Sequence, residues 1–320
     1  MTQAPSIPAG RPVESAPPSV ARTATRDVTW PAVAALAWRE IARFFRQRNR
    51  VIGAVATPLV FWLMLGLGLN EAYVVETGGG YVDIPVEDAV QAQARQDRID
   101  STGVEELPPR RAIEPAKGMG YLEFFFPGIV VLMVLFTAIF STISVIEDRK
   151  EGFLQGVLAS PAARWAIVLG KVLGGASIAT VQGLVLLLIW CVFFAWPGVG
   201  HLLAATVVMF ILAMGLTGLG LMIAWPMDST AGFHAVMNLL LMPMWFLSGA
   251  VFPLATAGVM KWLMYANPLT YGNAAFARAL MGERAVGIGL PWGVTLVIAV
   301  SATAAAVAGA TAIASRGGRR

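Results

Sequence analysis

The chain has one cysteine, Cys191, and two histidines in 320 residues. A lone thiol closes no intrachain disulfide, so a disulfide-stapled scaffold is excluded. Charged residues are also scarce, at 13%, about half the share of an ordinary soluble domain. Glycine follows no Gly-X-Y period, which removes the collagen class. The first residues hold no apolar core ahead of a small-residue cleavage site, so they do not read as a secretory signal. What is present is apolar surface: 57% of residues are hydrophobic and the mean hydropathy is +0.69. So few charges cannot cover that much hydrocarbon in water, and the composition describes an integral membrane protein.

About 20 mainly apolar residues cross a bilayer as a helix, which satisfies its own backbone in lipid. Six segments qualify, near 51–69, 124–146, 166–194, 202–225, 233–255 and 290–314, giving an all-α polytopic membrane protein. Residues 1–28, with five prolines and no apolar period, are expected to be a disordered cytoplasmic tail ahead of a transmembrane domain over 29–320. Six spans place both termini on one side. If that side is the cytoplasm, the inner segments hold 15 basic and 7 acidic residues and the outer ones 8 and 12, the bias of the positive-inside rule. The pI near 9.5 then reflects topology, and no basic patch interleaved with stacking aromatics points to nucleic acid. Residues 70–123 form one extracytoplasmic loop with ten carboxylates between Glu71 and Glu114. They lack the spacing of a calcium loop and read as a solvated cap.

From Trp30 to Arg50, the side chains of Arg39, Arg43, Arg46 and Arg50 share one stripe at helical spacing, with Trp30, Trp38, Phe44 and Phe45 opposite. An amphipathic helix over 29–50 lying in the cytoplasmic membrane interface is favoured over a continuation of span one, its guanidinium groups among anionic headgroups. The elbow at 147–165 starts with Glu147, Asp148, Arg149, Lys150 and Glu151 and continues as a short amphipathic piece. Its stripe of Phe153, Leu154, Val157 and Leu158 either inserts into a partner's groove or belongs to an ordinary interfacial loop. Within the spans, Lys171 is expected to snorkel to the interface, and Gln182 and Asn238 to hold helices together. Gly170, Gly174 and Gly175, with Gly215, Gly218 and Gly220, supply faces for close packing.

A break at Leu247-Ser248-Gly249 opens residues 249–288, where Val259–Tyr265 is too short to cross. An extracytoplasmic re-entrant hairpin between spans five and six is expected, covered by protein. A membrane-embedded enzyme would draw on His201, Asp228 and His234, but these fall at opposite ends of their spans. An ion-coupled carrier would need an ionisable group at mid-membrane, and none stands out. The nucleotide-cradling Gly-x-x-x-x-Gly-Lys-Ser/Thr motif is absent from the sequence.

Several strings occur in a telling order: Phe126-Pro127-Gly128, Glu147 through Leu154, Ser160-Pro161, Leu169-Gly170-Lys171, Leu247 through Pro253, and Asn267-Pro268-Leu269-Thr270-Tyr271. With them the chain, over most of 30–315, resembles the membrane-spanning subunits of type-2 ABC transporters, particularly exporters of drugs, lipo-oligosaccharides and polysaccharides. The resemblance implies a coupling helix over 151–160 that docks on an ATPase subunit, carried here by Glu151, Gly152, Phe153, Leu154, Val157, Leu158 and Pro161. It makes residues 30–48 a connecting helix, with Trp38, Arg39, Arg43 and Arg46. It makes the hairpin, with Gly249, Pro253, Asn267 and Pro268, a closure of the outer mouth, as a moving gate or as a structural plug. The chain would have no cofactor of its own, with ATP and magnesium in the partner. Its partners would be that ATPase, a second copy or a related permease, and the lipid of a bacterial or archaeal cytoplasmic membrane.

Overall fold

A computed structural model describes residues 29–70, 74–75, 119–160, 162–194, 196–254, 257–286 and 288–316. The expected tail over 1–28, nearly all of the 70–123 loop, and Pro161 lie outside the described residues. The helices are α1 (Thr29–Arg46), α2 (Arg48–Asn70), α3 (Tyr121–Ser141), α4 (Ile143–Lys150), α5 (Phe153–Ala159), α6 (Arg164–Phe193), α7 (Val199–Ala224), α8 (Thr230–Phe246), α9 (Lys261–Ala266), α10 (Pro268–Met281) and α11 (Trp292–Arg316). A two-residue antiparallel pairing of Val74–Val75 with Met119–Gly120 joins the two ends of the long loop.

Among the described residues, five helical stretches are long and apolar enough to cross a membrane: 51–68 in α2, Tyr121–Lys150 (α3 and α4 together), α6, α7 and α11. The chain is thus an all-α polytopic membrane protein. Helix α8 has 17 residues and is about 25 Å long at 1.5 Å per residue, short of a hydrocarbon core of roughly 30 Å. The segment expected to run to 255 stops at Phe246. There Ser248 Oγ donates back to the Trp245 carbonyl, and Gly249 takes a φ of +76° that only glycine adopts cheaply.

Helix α3 lies at the centre, and its apolar side chains are buried on every face, as they must be in a helix surrounded by others. It packs against α2, α6 and α7. Ser141 and Thr142 bend the line between α3 and α4, because their hydroxyls donate back to the Ala138 and Ile139 carbonyls. Helix α2 touches the bundle through a narrow ridge of Pro58, Trp62 and Gly66. On that ridge Trp62 is buried among Phe126, Phe193 and Phe194, and its indole N–H donates to the Leu122 carbonyl at 3.0 Å.

Tyr121–Lys150 and α6 each run 30 residues, about 45 Å, and so exceed the hydrocarbon core by roughly 15 Å. Their charges cluster where α4 ends and α6 begins, which assigns the surplus to that elbow end. Helix α1 lies alongside it, parallel to α6: Trp30 meets Trp165 edge-on with centroids 6.0 Å apart, and the α1 backbone rests on Gly170 and Gly174. Exposed tryptophans mark both ends, with Trp30, Trp38 and Trp165 at the elbow and Trp196, Trp262 and Trp292 opposite, the pattern of interfacial belts.

A Cβ on Gly174 would stand 2.8 Å from Glu40 Cβ and 3.1 Å from the Ala37 carbonyl oxygen. Gly174→Val should therefore push α1 off α6 and cost about 1–3 kcal/mol, seen as a lower melting midpoint in detergent. Gly53→Val, where nothing lies within 4 Å, should change little by the same assay.

Candidate functional site

The elbow end holds a buried ion cluster centred on Asp148, which is fully shielded from solvent. Its carboxylate accepts two parallel bonds from Arg39, at 2.7 and 3.1 Å, one from Arg43 at 3.1 Å and one from Lys171 at 2.7 Å. Lys171 is equally saturated: its ammonium donates to Asp148, to Glu40 at 2.7 Å and to Ser144 Oγ at 3.2 Å. Arg43 also reaches Glu147 at 2.9 Å at the more exposed rim. Three helices are thereby joined: α1 through Arg39, Glu40 and Arg43, α4 through Glu147 and Asp148, and α6 through Lys171. Burial alone would lower the Arg39 pKa, but its hydrogen bond and attraction to Asp148 raise it above the ordinary arginine value.

Two expectations are corrected here. Arg39 and Arg43 face acids of their own chain rather than lipid headgroups, because an internal carboxylate in a dry site holds a guanidinium more firmly than a hydrated headgroup does. Arg46 is exposed, as is Trp38. Lys171 does not snorkel, since Glu40 and Asp148 satisfy it inside the protein. Sequence reasoning passed over Glu40, although Val33, Leu36, Glu40 and Phe44 form the buried stripe of α1. An acid on an apolar stripe at helical spacing was the signal available.

Helix α5 hangs beneath the cluster. Gly152, with φ of +78°, lets the chain turn sharply from α4 into it. Arg39 lies over the Phe153 ring, 3.7 Å from its centroid, a cation–π contact that fastens α1 to α5. Leu154 is buried against Val145, Val168, Val172 and Leu221, with Leu158 packed beside it. Of the apolar stripe Leu154 alone is buried, against the wall that α4 and α6 provide, while Val157 and Leu158 are half-buried and the Phe153 ring is exposed. The exposed residues are Glu151, Gly152, Phe153, Gln155, Gly156 and Ala159.

At the opposite end the residues of the expected outer closure come together around the turn after α8. Asn267 caps α10 by accepting from the Leu269 N–H at 3.0 Å, and it donates to the Met244 carbonyl at 2.6 Å. Pro268 fills the first turn of α10, where no N–H is needed. Thr270 donates to Met264 and Leu247 carbonyls, and Tyr121 donates to Val251 at 3.1 Å. Gly249 and Pro253 line a cavity of about 30 Å³ together with Ser248 and Asn273. His201 bonds the Ala279 carbonyl there. Asp228 pairs with Arg149 at the elbow end, and His234 lies tilted against Phe140, with ring centroids 5.0 Å apart. Gln182 bonds Thr137 between α6 and α3, whereas Asn238 is exposed on α8. No group of three His, Cys, Asp or Glu among the described residues could hold a metal ion.

Asp148→Asn leaves Lys171 and Arg39 buried without their counter-charge and should cost about 3–5 kcal/mol. Arg43→Gln, nearer solvent, should cost about 1 kcal/mol or less. Urea unfolding in detergent measures both, and Lys171→Met in the Asp148→Asn background should restore part of the loss.

Comparison with known proteins matches this architecture. The family described as ABC-2 type transporter matches residues 31–281, which takes in α1, the ion cluster, the elbow and the outer turn. The chain is 27% identical over 155 residues to "Probable multidrug ABC transporter permease YbhR" of Escherichia coli, covering 48% of this chain and 42% of that protein. It is 26% identical over 178 residues to "Nodulation protein J" of Sinorhizobium fredii, covering 54% of this chain and 67% of that one. The aligned stretch is thus less than half the length of the first of these relatives. With the family match covering residues 31–281, well over half of its length, the chain belongs to the ABC-2 type transporter family.

Proposed function

We propose that this chain is the membrane-spanning permease subunit of an ATP-binding cassette exporter, driven by an ATPase on a separate chain. The observation that carries the reading is the fastening of α5 to three helices: the Asp148 cluster binds α1, α4 and α6, and Arg39 stacks on Phe153 of α5. A helix pushed from outside moves a span only if the joint between them is stiff. Here the joint is ionic and aromatic, with Asp148 and Lys171 buried at its centre. The ATPase would bear on the outward face of residues 151–160, with Glu151, Gly152, Gln155, Gly156 and Ala159 in the contact. α1 is the connecting helix that carries the same push. ATP and magnesium belong to the partner.

On this reading α8 is the sixth span. Its shortness is met by α9 and α10, which form the re-entrant hairpin of the extracytoplasmic end. Both termini and the elbow face the cytoplasm of a bacterial or archaeal inner membrane, in keeping with the bias of basic residues. A second copy, or a related permease, completes the transport path. A path this poor in charge suits an amphipathic or lipid-like cargo. An ion-coupled carrier fits less well because Asp148, Glu40 and Lys171 saturate one another, and a membrane-embedded enzyme less well because His201 lies at the other end of the bundle from Asp228.

Gly156 has open space on all sides of a would-be Cβ. Gly156→Arg should therefore fold normally yet lose at least about tenfold of its association with the ATPase, the penalty of an unpaired charge at an interface; undiminished co-purification would place the docking surface elsewhere. With Cys191 replaced by Ala, a cysteine at Val259 should react with an impermeant maleimide in intact cells. One at Gln155 should react only after permeabilisation, and the reverse pattern would invert the topology.

A further inference from the structure

Helix α8 is held along one stripe. Phe233, Met237, Leu241 and Trp245 are buried, and the helix packs chiefly on α3 and α4, while Leu239 is 79% exposed and Val236, Leu240 and Met242 lie open as well. Apolar side chains can meet lipid without cost, but this open face also carries an amide. Asn238 is exposed, and its side chain makes no hydrogen bond among the described residues. The amides of Gln182, Asn267 and Asn273 each bond within the chain, to Thr137, Met244 and Ser248 respectively.

Asn238 stands at hydrocarbon depth. With the surplus of Tyr121–Lys150 at the elbow end, the crossing part is roughly its first 20 residues, about 30 Å, and ends near Phe140. His234 lies against Phe140, and the Trp245 indole donates to the Gly128 carbonyl. Asn238, between His234 and Trp245 on α8, therefore falls between those two levels and inside the apolar layer, where an amide needs a partner. Ala231, Ala235, Asn238 and Met242 are all exposed and follow one another at intervals of four, three and four, the spacing of a seam between two helices that cross at a shallow left-handed angle. We propose that this seam packs against the same seam of a second copy across a two-fold axis, the two Asn238 amides bonding each other. An amide is both donor and acceptor, so a pair facing across a two-fold satisfies itself, and the uncharged seam holds nothing that repels its own copy. Lipid would leave the amide unpaired. This pairing deepens the permease reading and rests on it for the second copy, but self-association is read without the ATPase, so the two can fail separately.

In native membranes under a mild oxidant, the full chain with Cys191→Ala should form a disulfide-linked dimer through Ala235→Cys and through Met242→Cys, each facing its own copy across the axis. Leu188→Cys on α6 and Val297→Cys on α11, 67% and 65% exposed, should not link. Asn238→Leu breaks no bond in the structure; added to Ala235→Cys, it should lower the linked fraction about threefold to tenfold, the loss expected for one interhelical amide pair in a membrane. Asn238→Gln, which keeps donor and acceptor, should retain most of the link. Failure to link at both Ala235 and Met242, or linking as strong at Leu188 or Val297, overturns the proposal. So does an unchanged linked fraction in Asn238→Leu. Labelling of Asn238→Cys by an impermeant maleimide in intact cells would place this face on a water-filled path and overturn it as well. A linked dimer that co-purifies with no ATPase would support the pairing while counting against the permease reading.

Discussion

One carboxylate organises the elbow end. Asp148 accepts four hydrogen bonds from two arginines and a lysine while shielded from water. A buried ion pair is a poor source of net stability, because desolvation offsets most of the attraction, but removing one member is severe. What such a cluster supplies is geometric definition. Apolar packing alone would let α1 slide along the small-residue face of α6. The two parallel bonds from Arg39 allow one register only.

The second constraint is length. Helices that exceed the hydrocarbon thickness can tilt, or they can project. Tyr121–Lys150 and α6 project together, and the exposed surplus explains why α1 and α5 are present: an amphipathic helix on one side and a short one beneath cover apolar surface that would otherwise meet water. Leu154 turning inward and Gly174 accepting the α1 backbone follow from the same need. At the other end the shortfall of α8 is made good by a polar-stitched turn, where Asn267 and Thr270 bond the carbonyls left open after Met244 and Leu247.

The spans were legible because lipid imposes length and apolarity on each one separately, and these are local properties. The boundaries of α6, α7 and α11 fall within a few residues of the hydropathy pattern for that reason. The break at Gly249 was legible too, since backbone geometry acts on the residue itself. Partnerships were not. Arg39 and Asp148 are 109 positions apart, and a charged stripe on an isolated helix looks the same whether it faces headgroups or an internal acid. The burial of Leu154 depends on how far α4 and α6 overrun, which no window of sequence measures. The outer turn lay between these cases: its break was visible, while the bond from Tyr121 to Val251 needed the folded chain.

Helix α2 is attached to the rest of the bundle along the ridge of Pro58, Trp62 and Gly66, and the indole of Trp62 sits inside a cage of phenylalanine rings from α3 and α6. An indole held so is an optical gauge built into the hinge line. Any rocking of the first span changes the polarity and the ring contacts around this chromophore, so in a variant that keeps Trp62 as its single tryptophan the ultraviolet emission would report the angle between that span and its neighbours without an added dye.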